Sequence, residues 1–565
     1  MAEPHSHCFG VTIAIANSEQ KNLLLKMPVW TPGSYLVREY SRYLINFQVT
    51  DSEGQSIAWA KGAKNEWQLE SKGHASVIVT YDIFANDLTV RTNHFDSTHG
   101  YFNSAALFCV VEQWRDHPVW VKIIVPKTSW HISTSLPKHP DRDGTFIAQD
   151  FDTLVDSPFE VGEQEVYPFE VAGKNHRYVL WGKGNVDMTQ LIKDTSKIIA
   201  IEADLFGGLP YDDYLFILHL SGNGFGGLEH KYGCSLNYPR FGFHNKEKYH
   251  RFLQLVAHEF FHLWNVKRIR PKALEQFDYF QENYTPSLWF SEGTTSYFDT
   301  LIPLWAGVYE PKDFFDIFSR DVSRYFMTPG RHVQPLSESS FDAWIKLYRP
   351  DAYSDNFQMS YYLKGAMVSL MLDLLIRRNH NNQRSLNHVM VLMWERFGQS
   401  ETGFTPEQLQ GVLEEVSGVN LDDFYQNYIH GLAELPLQEY LEPFGLTIKT
   451  TVDQALPYLG CRVMEQNNTT QIQSIHLDGP AGRAGLEAGD QLLAIDGFKV
   501  ASDNLNDYLK NYRPGDEITV TVFHQDQLKN YRVTLDKPQP TRYQVKTFAN
   551  LTPSQQKLRE GWLKF

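Results

Sequence analysis

The stretch KYHRFLQLVAHEFFHLWNV (Lys248–Val266) decides how the rest of the chain is read. Phe252, Leu255, Val256, Phe260 and Phe261 recur at the three- and four-residue steps of a helix with one buried face. Within that period stand His258-Glu259-Phe260-Phe261-His262. Residues four apart on a helix project from one face, so the two imidazoles can share a metal ion. Glu259 follows the first of them and faces the same cleft. There it can take a proton from a metal-activated water and pass it to a leaving amine. Zinc suits two neutral imidazoles and one carboxylate, with a fourth position left for water. Such a short pattern also arises by chance, as solvated or locally bonded side chains. Two unpaired imidazoles in so apolar a helix would be costly to bury, which favours the metal.

Three glutamates downstream could complete the site: Glu275, Glu282 and Glu292. Glu282 lies in QENYTPS, a turn-like stretch with poor control of position. Glu292 lies in LWFSEGTTSYFDTL, an aromatic, helix-like segment able to hold a carboxylate rigidly, and is the preferred third ligand with Glu282 as the alternative. Asp299 follows seven residues later on the same helical face. It either accepts a hydrogen bond from a ligand imidazole or is an ordinary solvated aspartate.

Working outward, residues 1–172 read as short β-branched and aromatic runs between Gly, Pro, Asn and Asp turns, a β-sandwich-like domain. Trp30–Leu44 reads there as a turn and strand carrying core aromatics. His94 and His99 match no helical metal spacing and read as surface groups. Residues 173–444 form a mostly helical catalytic domain that opens with an amphipathic helix, a strand (DYLFILHLSG) and the glycine-rich turn NGFGGLEH. Strand texture returns over residues 445–540, and residues 541–565 are a polar tail or docking segment. The fold class expected is multidomain α+β.

The chain has 565 residues, 42% hydrophobic and 14% aromatic, enough for several packed cores. Its 52 basic and 67 acidic side chains leave a net charge of −15, without the basic footprint of a nucleic-acid binder. Cys8, Cys109, Cys234 and Cys461 are scattered and form no CxxC pair. The first twenty residues lack the basic and apolar regions of a leader, so a cytoplasmic location is expected, with a periplasmic or secreted one if a leader is missing. No run approaches the ~18 apolar residues of a membrane span.

The HExxH helix, LWFSEGTTSYF (Leu288–Phe298) and Gly226-Gly227-Leu228-Glu229-His230 together resemble the aminopeptidase N-like branch of the thermolysin-type metallopeptidases. Leu228 and His230 depart from the methionine and asparagine usual there, and Glu292 lies 30 residues beyond His262, farther than usual. HEFFHLWNVKRIRP (His258–Pro271), MPVWTPGSYLVREYSRYL (Met27–Leu44) and a C-terminal PDZ-like segment are similar to the glycyl aminopeptidase family, from about residue 20 to about residue 537.

That resemblance implies a thermolysin-like catalytic domain with one Zn2+ held by His258, His262 and Glu292. Gly226, Gly227 and Glu229 would bind substrate, Glu229 gripping the free α-ammonium. The plainer role for Glu229 is a turn carboxylate paired with Lys231. Tyr362, in Tyr361-Tyr362-Leu363-Lys364-Gly365, resembles the tyrosine that stabilises the oxyanion, and Tyr361 next to it stays open for that role. Tyr458-Leu459-Gly460 resembles the carboxylate-binding loop of a PDZ domain. SIHLDGPAGRAGLEAGDQLLAIDG (Ser474–Gly497) resembles the strand, short helix, Gly-Asp turn and strand that come after that loop. The expected activity is a zinc aminopeptidase releasing a small first residue, glycine or alanine, from peptides with a free N-terminus. The PDZ segment either takes peptide C-termini or only packs. An endopeptidase recruiting chains through the PDZ segment, and a catalytically idle PDZ scaffold, are the alternatives.

Overall fold

The amphipathic run after residue 185 forms the helix Met188–Phe206, opened by Asp187, whose side chain accepts from the backbone N–H of Thr189 and Gln190. It closes at Gly207, whose φ of 76° is a left-handed conformation that suits glycine. This helix carries the chain between two parallel strands, Lys174–Trp181 and Asp213–Ser221, of a five-stranded sheet. The order across the sheet is Glu165–Val171, Lys174–Trp181, Asp213–Ser221, Gly233–Pro239, Gly226–His230. Gly226–His230 runs antiparallel to its neighbour at the edge. The boundary expected at residue 172 falls on the turn of the first hairpin.

The computed structural model describes residues 3–16, 22–452 and 455–564, so the stretch read above for a leader is described over Glu3–Ala16. The chain divides into two compact units. The first comprises residues 1–285, 305–308 and 390–409, and the second residues 286–304, 309–389 and 410–565.

In the first unit the N-terminal residues make antiparallel sheets, as their period-two texture predicts. One orders Cys8–Ala16, Ser76–Phe84 and Leu44–Thr50, and another Trp59–Ala63, Glu66–Leu69, Leu23–Lys26 and Val110–Val111. Their inward faces share a core that includes Phe9, Leu25, Trp67, Tyr81 and Phe159. A third sheet, with His99–Phe102 and Phe159–Gly162 at its centre, carries His99 and Glu160. The helix Lys246–Phe261 follows the five-stranded sheet, capped by Asn245, whose side chain accepts from Lys248 N–H.

In the second unit a wide π turn, Trp289–Thr294, runs into the helix Thr295–Trp305. The helices Pro311–Met327 and Tyr361–Asn379 belong to the same unit. Ser354–Asn379 is long and apolar enough by composition to cross a membrane, but its surface is buried inside this unit, as in a core helix. The PDZ segment is a sheet ordered Cys461–Gln466, Thr469–Ile475, Gln491–Ile495, Glu517–His524 and Gln527–Thr534, over its own apolar core. The last residues are a docked segment. Arg542–Thr547 pairs with Leu446–Thr451, and Pro553–Leu563 is a helix whose Trp562 is fully buried against Phe314 and Phe444 and donates to Tyr297 Oη at 2.9 Å.

Candidate active site

His258 and His262 stand one turn apart at the end of the helix Lys246–Phe261, their ring centroids 4.6 Å apart and nearly perpendicular. His262 Nδ1 lies 2.6 Å from the carbonyl oxygen of Asn265. A proton on Nδ1 satisfies that bond and puts the ring's lone pair on Nε2, which is how outer contacts fix a metal-binding tautomer. The chain holds Asn265 there through a strained turn: Lys267 N–H donates to His262 O at 3.1 Å, and Val266, β-branched, has φ 125°. Asn265 is a partner of His262 that the motif alone does not reveal.

Glu259 is buried, and its Oε lies over Gly227 of the edge strand, so closely that a Cβ on that residue would overlap it. Gly227 therefore supplies clearance for the Glu259 carboxylate. Burial raises Glu259 and Glu229 adds to it, while His258 and His262 pull the other way; the balance pushes its carboxyl up to about 7. Ligand atoms of Glu229, Glu259 and His262 lie within 4.8 Å of one another.

Glu229 is 4% exposed, and its Oε1 has no hydrogen-bond partner among the described residues. The pairing with Lys231 does not occur, because Lys231 Nζ sits 2.5 Å from Glu401. Asp156 anchors the strand beyond Glu229, accepting from Lys231 N–H at 2.7 Å and pairing with Lys267 at 2.5 Å. Arg91 holds the start of the strand, its Nη2 donating to Gly227 O at 3.0 Å beside Gly226, whose φ is 145°. Glu282 lies in an irregular stretch, as its sequence predicts.

In the second unit Glu292 is 1% exposed within the π turn. The next residue, Gly293, meets Gly365 backbone to backbone: a Cβ on Gly293 would stand 2.6 Å from Gly365 Cα and 2.8 Å from Tyr361 O. This contact fixes Glu292 relative to the first turn of the helix Tyr361–Asn379. Burial, with the charge of Glu292 adding to it, keeps the Tyr362 phenol far above its ordinary value, so it remains a proton donor. Tyr362 is half-buried and its hydroxyl is 2.8 Å from that of Tyr348, whereas Tyr361 is fully buried and donates to Tyr348 at 3.2 Å. Asp299 is 5% exposed and accepts from Thr300 Oγ1 at 3.0 Å, so it is not a solvated aspartate.

Three segments match sequence profiles of known families: residues 1–163 the peptidase M61 N-terminal domain, residues 251–368 the M61 glycyl aminopeptidase, and residues 457–535 a PDZ domain. A solved structure of an aminopeptidase N family protein from Idiomarina loihiensis shares 31% identity and a TM-score of 0.92, over 100% of this chain and 98% of that one. The chain belongs to the M61 glycyl aminopeptidase family. An M1 zinc metallopeptidase from Deinococcus radiodurans is more distant, at 14% identity and a TM-score of 0.47 over 77% of this chain and 93% of that one. No curated protein matches the chain.

In this M61 peptidase His94 and His99 lie elsewhere than the sequence predicts, while Trp30–Leu44 does carry core aromatics, Trp30, Tyr35 and Tyr40. His94 and His99 are not surface groups. His99 is fully buried, and its two nitrogens lie 2.8 Å from His94 Nδ1 and from Glu160 Oε1. Trp30–Leu44 is more than core filling, since Gly33 within it lies against the Glu229 carboxylate. In the PDZ domain of the peptidase, Leu459 packs into the core while its carbonyl accepts from Ala481 N–H at 2.8 Å. Gly460, with φ 83°, accepts from His476 N–H at 2.9 Å, and the Tyr458 hydroxyl bonds the His476 ring.

Proposed function

We propose that this peptidase is a zinc-dependent aminopeptidase that releases a small first residue, glycine or alanine, from peptides. The observation that carries the reading is the buried, unpartnered oxygen of Glu229 beside Glu259 and His262. A buried carboxylate oxygen without a partner is costly, and a substrate ammonium would satisfy it. An anion fixed one residue-length from the reacting carbonyl would make the enzyme count from the N-terminus.

The donor set suits zinc, with two imidazoles four residues apart and the outer nitrogen of one already bonded to a carbonyl. His258, His262 and Glu292 would hold the ion, and Asp299 would orient a ligand imidazole. Bound zinc supplies Lewis acidity, polarising the scissile carbonyl and acidifying water. Glu259 takes the water proton and returns it to the leaving amine. Tyr362 donates to the developing oxyanion, while the deeper Tyr361 supports Tyr348. In the PDZ domain Cys461–Gln466 is an edge strand beside Tyr458-Leu459-Gly460, open to strand addition by a peptide C-terminus.

The test is a panel of glycyl, alanyl, leucyl and N-acetylglycyl fluorogenic amides, with and without chelator, using Glu259→Gln as the blank. Cleavage of the glycyl and alanyl amides alone, abolished by the chelator, is expected. Equal cleavage of the acetylated substrate refutes the aminopeptidase reading.

A further inference from the structure

Glu229 grips the substrate nitrogen in the function proposed above, and the first side chain of the substrate begins only two bonds from that nitrogen. Whatever stands around the Glu229 carboxylate is therefore what that side chain meets. One such neighbour is backbone from the N-terminal domain. Gly33 has φ 84°, and a Cβ built on it would stand 2.5 Å from Glu229 Oε1 and 2.6 Å from Cδ. The absence of a side chain at residue 33 is thus a condition for the carboxylate to lie where it does.

The segment carrying Gly33 is held from several directions. Thr31 and Ser34 bridge across the turn, with Ser34 N–H donating to Thr31 O at 3.1 Å. Asn103 Nδ2 donates to Thr31 Oγ1 at 3.2 Å, and Arg38 Nη2 to Ser34 Oγ at 3.0 Å. Just before the turn, Trp30 Nε1 donates to Asp278 O at 2.7 Å. Thr31, Pro32, Ser34 and Tyr35 are buried, and Gly33 alone among them is partly open. A backbone wall tied down in this way cannot retreat before a larger substrate, unlike a wall of side chains that change rotamer.

We propose that Gly33 and its turn, Thr31–Ser34, form the wall of the first side-chain pocket and determine the preference for glycine and alanine. The inference rests on the amine-anchoring role of Glu229. Steric exclusion by a fixed wall is worth about 10- to 200-fold per methylene, so one rigid contact suffices for such a preference.

The full-length zinc-loaded enzyme is assayed with glycyl, alanyl, 2-aminobutyryl and N-acetylglycyl amides. Zinc content and circular dichroism are followed in parallel. Gly33→Ala puts a methyl on the wall against the Glu229 carboxylate, so kcat/KM is expected to fall for both amides, and the alanyl-to-glycyl ratio to fall about tenfold as well. Ser34→Ala adds no bulk but frees the turn from Arg38, and the 2-aminobutyryl-to-glycyl ratio is expected to rise about threefold or more. If Gly33→Ala does not fold, the Ser34→Ala ratio decides alone. Ratios that stay within about twofold of wild type in the folded, zinc-replete variants overturn the proposal. Glu229→Gln separates this failure from that of its premise. If that variant keeps the full preference for a free amine over N-acetylglycine, the anchoring role is wrong. If it loses the preference while the Gly33 and Ser34 ratios stand still, only the wall is wrong.

Discussion

Two buried carboxylates of the first unit each lie between two histidines, yet they sit at opposite ends of the carboxyl range. Glu160 is 0% exposed and bonded on both oxygens, to His99 Nδ1 and His219 Nε2, each at 2.8 Å. Burial opposes its ionisation, but the two imidazoles outweigh burial and hold it down to about 2. Glu259 is equally enclosed, but its histidines are turned to other work, with His262 bonded to Asn265, and burial prevails. In the first cluster both carboxylate oxygens are taken, His94 adds to the chain and Trp181 stacks on His99 at 3.7 Å, while the buried His219 Nδ1 has no partner among the described residues. The second leaves an oxygen of Glu229 open. A carboxylate bonded on both oxygens stabilises a fold, while one with an oxygen left open can bind a ligand.

The comparison is broken most directly by removing each carboxylate in turn. Glu259→Gln is expected to lower kcat about 10²- to 10⁴-fold with zinc content and thermal midpoint unchanged. Glu160→Gln is expected to keep the activity per folded molecule while losing about 3–5 kcal/mol in urea unfolding, because the neutral amide has one acceptor oxygen where two buried imidazoles had one each and the charge between them is gone. Activity lost in Glu160→Gln beyond the unfolded fraction would erase the distinction.

Arg91→Ala is next in size. Loss of its bond to Gly227 O should loosen the strand that carries Glu229 and raise KM for glycyl amides about tenfold, with a smaller change in kcat. An unchanged KM would show that Asp156 alone positions Glu229.

The pH dependence sharpens the comparison further. The pKa of Glu160 is lowered from 4.5 in the folded state, so its contribution is fully present above that value. It is lost as pH falls from about 4.5 towards about 2. The wild type should therefore lose stability more steeply than Glu160→Gln over that interval, and parallel curves would contradict the assignment. The smallest effect is expected at Lys231→Ala. Its ion pair with Glu401 joins side chains 30% and 33% exposed, and its loss should cost about 0.5 kcal/mol or less in a denaturant titration.

Much of the site was legible because its chemistry follows local periodicity. The four-residue spacing of His258 and His262 survives any packing of the helix, whereas the glycine-rich run before Glu229 reads as a turn and is in fact the edge strand Gly226–His230, because its pairing with Gly233–Pro239 is not local. Gly293 and Gly365 are each conspicuous in sequence, but not as partners that let two backbones touch. His99 was misread because burial depends on which strands come together; Glu160 is 61 residues away and His219 a further 59. Gly33 was passed over for the same reason. Its role arises from a contact with Glu229, which lies in another domain.

The sequence by itself determined the helix with its two imidazoles and the glutamate between them, the β-rich and PDZ segments, and the family, because periodicity and fixed spacing are properties of a few neighbouring residues. Only the tertiary structure decided which buried histidines hold a carboxylate for stability, which carboxylate oxygen stays open, and which glycine faces it. Those outcomes depend on burial and on contacts between distant segments. The free energy of a charge depends on the company it keeps once water is gone.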